Sequence, residues 1–413
     1  VVNGGIMTDQ EKPDVIEDIS EEEALDSISL KVDNPEALIE KPAEDIDEEK
    51  LSEEDYENKV QELYDEFNAF IEKTTDNILD YTVKDTVSTG IDLIDAILGG
   101  GFAIGALNII VGQPGSGKSM LAMQTMAQGQ RQFKGKLLTS FLDSEEATTE
   151  VRLANLGVRY PRVKPYSDIT VEKMFQFLES VCVFKHEKGI LETPSIIIWD
   201  SIANTLSQKE RETEDINSVI GYRARLLSIL IPKYVAKCSK HNICLLAVNQ
   251  LRDVLAMGQF APAKDLKFMS QSKDMPGGNT LKFNAFQLIE VKIKTVIGEK
   301  TTEKAENYGF EGIIVSLKCV KNKLFPPNIP IDVVGSFVTG FSNFWTNYNF
   351  LKTTKRLNAG AWNYLISYPE KKFRTKDAPE LYKTDDTFRE KFDEAAKEAI
   401  KTEIIDKYNP EIE

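Results

Sequence analysis

The sequence predicts an α/β fold: a mostly parallel central sheet with helices on both faces, an N-terminal helix, and a small α+β module at the C-terminal end. Three observations carry this expectation. Residues 106–126 read as a strand, a glycine-rich loop and a helix in immediate succession. Apolar runs at 106–111, 137–142, 195–200, 243–249, 287–294 and 312–320 have helix-like segments between most of the early ones, a pattern of parallel strands covered on both faces. The later runs lie close enough in sequence to pair antiparallel. After about Pro330 the pattern changes to shorter strands and then a charged helix, roughly Thr387–Tyr408.

Of the 66 acidic and 50 basic residues, 21 and 5 lie within residues 1–60, so the rest of the chain carries 45 of each sign. The folded part is therefore neutral, and bulk charge gives no sign of nucleic-acid binding; any such site must be local. Residues 1–52 read as an acidic, disordered arm, poor in aromatics. The arm is either a solvated tail or a polyanion that competes with nucleic acid for a basic groove or docks a partner. Met7 is the expected translational start, since Gly4-Gly5 can be encoded by a purine-rich ribosome-binding sequence; the mass of the natively expressed protein checks this. From Glu53 to about Tyr81, Val60, Leu63, Tyr64, Phe67, Phe70, Ile71, Ile78 and Leu79 fall at helical spacing. The expected divisions are 1–52 for the arm, 53–86 for the helix and linker, 87–334 for the sheet-based core and 335–413 for the C-terminal module.

Four cysteines without C-x-x-C spacing and only two histidines argue against zinc and for buried, reduced thiols in a cytoplasmic protein. No apolar run approaches membrane-spanning length, so no membrane partner is expected.

The loop at 112–119 is Gly112-Gln113-Pro114-Gly115-Ser116-Gly117-Lys118-Ser119, a complete G-x-x-x-x-G-K-S motif between a strand and a helix. Glycines let backbone N–H groups crowd around phosphate oxygens, and the helix N-terminus adds partial positive charge. Lys118 is placed to reach the β- and γ-phosphates, and the Ser119 hydroxyl to ligate Mg²⁺. Met120, in the first helical turn, is counted with these nucleotide-binding residues. ATP and Mg²⁺ are the expected cofactors.

Ser195–Asp200 is an apolar strand ending in a carboxylate, which fits a second metal-holding position opposite Ser119. Phe141-Leu-Asp-Ser-Glu-Glu146 ends another strand. Either Glu145 or Glu146 can act as the base for an attacking water, and a helix-start carboxylate pair is the plainer alternative. Leu245–Gln250 ends in a polar pair, and Gln250 can sense a γ-phosphate. The aperiodic segment that follows, to Pro276, carries Arg252, Lys264, Lys267 and Lys273 beside Phe260 and Phe268, then resolves into Gly277-Gly278-Asn279. Loops of this length are usually functional or disordered, and interleaved cations and aromatics suit single-stranded nucleic acid. Lys209 and Arg211 open a second candidate loop. Lys321 and Lys323 share one face of a strand end. They form either a solvated basic edge or a phosphate contact across a subunit boundary.

Taken together, these segments resemble the RecA family of strand-exchange recombinases. The residues that carry the resemblance are Val87–Asp95 with Gly99–Gly101, the 112–119 loop, Phe141–Glu145, Asp200-Ser201, Asn249–Arg252, Gly277–Phe283, Val320–Lys323 and Ala359–Trp362, in the family's order across roughly residues 85–365. The resemblance implies a RecA-type P-loop ATPase core with a small C-terminal domain. It implies that Glu145 activates the water and that Gln250 couples the γ-phosphate to a second DNA loop, about 251–278. The first DNA loop is then about 207–220. Lys321 and Lys323 reach the ATP of the next protomer, and the 53–81 helix stands where the family's polymerisation element lies.

The implied activity is DNA-dependent ATP hydrolysis by a filament that assembles on single-stranded DNA and pairs it with a duplex, in recombination and repair. Double-stranded DNA, further copies of the chain, and a loader or single-strand-binding protein are the implied partners, in the cytoplasm of a bacterial or phage-infected cell. The Gln-Pro-Gly-Ser loop interior, the Glu145-Glu146 pair, the long second loop and the N-terminal position of the acidic arm depart from bacterial RecA. They point to a divergent form akin to UvsX-type phage recombinases. A hexameric helicase and a clock-type regulatory ATPase are the alternatives on the same fold.

Overall fold

The computed structural model describes residues 83–408, apart from 84, 147, 160–161, 216–218, 220 and 254–272, together with residues 58–59, 61–67 and 69. The acidic arm, most of the helix expected at 53–81, and Lys264 and Lys267 lie outside the described residues, as do the side chains of Arg252 and Lys273. The described part of 58–69 is helical, with Leu63, Tyr64 and Phe67 exposed.

From residue 83 the chain forms one compact unit. Its elements run β1 (Thr86–Val87), α1 (Asp92–Leu98), β2 (Phe102–Ala103), β3 (Leu107–Gly112), α2 (Lys118–Gln132), β4 (Leu138–Asp143), α3 (Glu150–Asn155), β5 (Lys164–Tyr166), α4 (Val171–Glu187) and β6 (Ser195–Asp200). There follow α5 (Gln208–Glu212), α6 (Tyr222–Lys240), β7 (Ile243–Gln250), β8 (Arg252–Asp253), β9 (Lys273–Asp274), α7 (Asn279–Asn284), β10 (Gln287–Gly298), β11 (Glu303–Lys304), α8 (Ala305–Tyr308) and β12 (Gly312–Lys321). The chain ends with β13 (Pro330–Ser336), β14 (Gly340–Phe341), α9 (Asn343–Thr353), β15 (Leu357–Asn358), β16 (Asn363–Leu365), β17 (Tyr368–Phe373), α10 (Ala378–Thr384), α11 (Asp386–Ile400) and a terminal helical stretch to Tyr408.

The main sheet has the order β14-β13-β12-β10-β3-β7-β6-β4-β5, with β11 added on β10. From β5 across to β10 every neighbouring pair is parallel; β10–β12, β12–β13 and β13–β14 are antiparallel. The fold class expected from the alternation is the one observed.

Strand alternation sends the two faces into two cores. In β3, Ile110 enters one and Ile109 and Val111 the other; in β6, Ile196 and Ile198 oppose Ile197 and Trp199. Each fully buried branched side chain of this kind contributes about 1.5–3 kcal/mol. A third core, around Trp345, Tyr348, Phe388 and Phe392, joins the C-terminal helices and the β15–β17 sheet to Ile297, Ile314 and Val334 of the main sheet. In an open parallel sheet, ligands bind beyond the carboxyl ends of the strands. Here β3, β4, β6 and β7 all end at one edge.

Candidate functional site

The 112–119 loop leaves β3 at Gly112 and enters α2 at Lys118. Gly112 is required by close approach: a Cβ there would sit 2.3 Å from the Val291 carbonyl oxygen. Gly117, the residue before the helix, has φ +88, a left-handed conformation that favours glycine, and no side chain caps the first helical N–H groups. Backbone donors left without a side-chain cap at the start of a helix are what phosphate binding needs. The Lys118 ammonium donates to the Gln113 carbonyl at 2.8 Å. Burial pulls its pKa down, while the Asp200 and Glu145 carboxylates push the other way.

The loop opens on a cleft of about 360 Å³ whose walls include Ser119, Met120, Glu145, Asp200 and Gln250. The Asp200 carboxyl is pushed up to about 7, first by burial and then by Glu145 and Asp143, against the Ser119 hydroxyl and the Lys118 charge. Its Oδ1 is buried without a hydrogen-bond partner. An orphaned buried carboxylate oxygen beside a serine hydroxyl and at the mouth of a phosphate loop fits a hard divalent cation, so Ser119 and Asp200 suit Mg²⁺.

Asp143, at the tip of β4, accepts from the backbone N–H of Glu145 at 3.0 Å and of Thr148 at 2.9 Å. This turn puts the two adjacent glutamates in different places. Glu145 lines the cleft, and its Oε1 accepts from Ser201 Oγ at 3.1 Å, Asn204 Nδ2 at 2.6 Å and Gln250 Nε2 at 3.5 Å. Glu146 takes φ +51 and its Oε1 accepts from the Asp168 N–H at 3.4 Å, outside the cleft lining. Gln250 ends β7, and its neighbour Asn249 donates to the Pro276 carbonyl at 2.8 Å, tying together the two ends of the long 251–276 segment.

The other sequence-derived positions are spread more widely. Lys209 lies 5.1 Å over the Tyr222 ring, and Arg211 is held by the Asp168 carboxylate and the Ile169 carbonyl. Arg252 and Lys273 sit on the paired strands β8 and β9. Gly277 and Gly278 both have positive φ and lead into α7 at Asn279. Lys321 Nζ donates to the carbonyls of Lys282 and Phe283 at 2.9 and 2.6 Å, at the C-terminal end of α7, and Lys323 lies 5.4 Å over the Phe286 ring. Within the chain both lysines are thus engaged near α7.

Sequence reasoning missed Asn204, Arg152 and Phe337. Arg152 and Phe337 line the cleft, with Arg152 donating to the Phe337 carbonyl. No motif marks any of the three. The four cysteines are free and buried. Among the described residues no cluster of three metal-ligating side chains occurs, and no helix is long and apolar enough to cross a membrane.

The family described as the RecA N-terminal domain matches residues 69–342. Protein RecA of Borrelia hermsii is 28% identical over 286 residues, covering 67% of this chain and 72% of that protein. Protein RecA of Rhizobium rhizogenes is 30% identical over 244 residues, covering 59% of this chain and 60% of that protein. Among solved structures, that of the RadB recombinase matches with a TM-score of 0.42 at 19% identity, covering 62% of this chain and 98% of that one.

Proposed function

The chain belongs to the RecA family, and from that premise we propose that it is an ATP-dependent DNA recombinase that assembles as a helical filament on single-stranded DNA and pairs that strand with a homologous duplex. The observation that carries this reading is the 3.5 Å approach of Gln250 Nε2 to Glu145 Oε1. It joins the last residue before the long basic segment to the carboxylate of the nucleotide cleft.

Bound ATP with Mg²⁺ supplies the phosphoanhydride to be cleaved and the divalent charge that neutralises its oxygens. The backbone of 112–117 and the Lys118 ammonium grip the phosphates, and Ser119 and Asp200 hold the cation. Glu145 takes the proton of the attacking water. Gln250 passes the state of the cleft to the 251–278 segment, whose Arg252, Lys264, Lys267 and Lys273 contact the DNA backbone together with Lys209 of the 207–220 loop. Contacts of that kind make affinity fall steeply with salt. Lys321 and Lys323 turn to a neighbour's nucleotide on assembly.

Electron microscopy of the chain with single-stranded DNA and a non-hydrolysable ATP analogue tests the reading. A helical filament is expected. Closed rings would favour a helicase, and dispersed particles a regulatory ATPase.

A further inference from the structure

Glu145 is held from two sides, and only one of them is the root of the long 251–278 segment. The other is the short stretch after β6. Asn204 Nδ2 donates to Glu145 Oε1 at 2.6 Å, the shortest of the three side-chain contacts on that oxygen, and Ser201 Oγ donates to it at 3.1 Å. Asn204 is exposed, whereas Ala203 and Thr205 on either side of it are buried. The core therefore has no need of the Asn204 side chain, and its amide is spent on the glutamate.

The two residues that flank Asn204 are gripped by a single guanidinium. Arg223 Nη1 donates to the Ala203 carbonyl at 3.2 Å and to the Thr205 carbonyl at 3.0 Å. Arg223 lies in the first turn of α6, directly after the 207–220 loop, and its Nε lies 3.7 Å from Glu210 Oε1. Glu210 in turn closes a capping box with Ser207 at the start of α5, the helix that begins that loop. Trp199 Nε1 and the Ser201 carbonyl fix Thr205 Oγ1 from below, both at 2.8 Å. One end of the 201–205 turn is thus anchored on the β6 tip, and the other is bound to both ends of the 207–220 loop.

We propose that Arg223 and Asn204 form a relay from the 207–220 loop to Glu145, with Asn204 as a positioning residue for the water-activating carboxylate. The inference rests on the function proposed above and deepens it. The cleft then receives two signals from DNA: one through Gln250 from the 251–278 segment, and one through Asn204 from the 207–220 loop. Ser201, Asn204 and Gln250 all donate to Oε1, so the group is turned about that oxygen and Oε2 is presented to the water. Arg223 already holds the peptide units on both sides of Asn204, so a DNA strand that engages the 207–220 loop acts on that guanidinium, and through it on the amide that sets the carboxylate.

The test measures ATP turnover of the full chain with and without an oligothymidine strand, for the wild type, Asn204→Ala and Asn204→Leu. The leucine keeps roughly the size of asparagine and loses the donor without adding a charge beside Glu145. Loss of one hydrogen bond to a charged group predicts a fall of about tenfold in DNA-stimulated kcat in both variants, with KM for ATP unchanged. Arg223→Lys, which cannot bridge two carbonyls in the same plane, should reduce the stimulation ratio in the same direction. Full stimulation in both Asn204 variants would overturn the relay. So would a raised KM at unchanged kcat, which would make Asn204 a nucleotide contact instead. A wild type whose turnover ignores the strand would overturn the proposed function, and the relay with it; a stimulated wild type beside fully stimulated variants would overturn the relay alone.

Discussion

The Asp200 carboxylate at the tip of β6 and the Ser119 hydroxyl in the first turn of α2 both line the nucleotide cleft, and the Asp200 Oδ1 is buried without a hydrogen-bond partner. Burial outweighs the lowering influence of that hydroxyl and lifts the Asp200 carboxyl from 3.8 to about 7. Between those values the folded chain holds a proton that the unfolded chain has released, so this group lowers stability as pH rises through the interval. A cation binds the charged form and reverses the effect, so Mg²⁺ with ATP should stabilise the chain more as pH rises through about 7. Asp95, pushed up to about 6 by burial against its Ser88 and Thr89 donors, adds a slope of the same sign that ends lower. The Asp200 contribution is therefore read above about pH 6. Asp200→Asn should flatten both the loss of stability of the nucleotide-free chain and the gain with Mg²⁺ and ATP. Thermal melts across this range, with and without nucleotide, check it.

Lys118 is buried and linked by charge to both Asp200 and Glu145, so its ammonium is the cleft's one contribution of full positive charge from the loop itself. Lys118→Ala should weaken ATP binding on the order of a hundredfold, since truncating one partner of a buried charged contact costs roughly 2–5 kcal/mol. Nucleotide-driven assembly should disappear with it. Titration with a fluorescent ATP analogue and microscopy of the same sample measure the two effects. Persistence of ATP-dependent filaments would place the phosphate site elsewhere.

The two adjacent glutamates provide a paired comparison. Glu145→Gln should leave ATP binding intact and slow turnover by about 10²–10⁴-fold, the usual contribution of a positioned base. Glu146→Gln removes a charge outside the cleft lining and keeps an amide oxygen that can still accept from the Asp168 N–H, so it should turn over near the wild-type rate. Single-turnover hydrolysis separates them, and the opposite ranking would reassign the base.

The strands and the phosphate loop were legible because their causes are local. Period-two burial in β3 and β6 and the strand–loop–helix order around Gly112–Ser119 are written in consecutive residues. The contacts that set Glu145 in the cleft lining and leave Glu146 out of it were not. They come from Ser201, Asn204 and Gln250, which lie 56 to 105 residues away in sequence and converge only when β4, β6 and β7 end at the same edge. Arg223 was hidden for the same reason: its partners at Ala203 and Thr205 are backbone carbonyls, which leave no mark in residue types. Gln287 carried no motif either, yet it is fully buried with partners in the 98–103 stretch and at Asn322.

Those partners make Gln287 a position where a single change should weaken folding without touching the cleft. Its Nε2 donates to the carbonyls of Leu98 and Gly101 at 2.9 and 3.1 Å, and its Oε1 accepts from the Ala103 N–H at 2.9 Å. A further contact at 3.4 Å reaches Asn322 Oδ1. One amide thus satisfies the backbone where the α1–β2 connection crosses the base of β10. Gln287→Leu keeps similar bulk and strands those groups away from water. Each buried unsatisfied group costs about 1–3 kcal/mol, so a loss of roughly 3 kcal/mol or more is expected. Urea unfolding should show a lower midpoint at unchanged slope. The folded fraction should still bind ATP with wild-type affinity, because no Gln287 contact reaches the 112–119 loop. An unchanged midpoint would mean that the α1–β2 connection finds other partners.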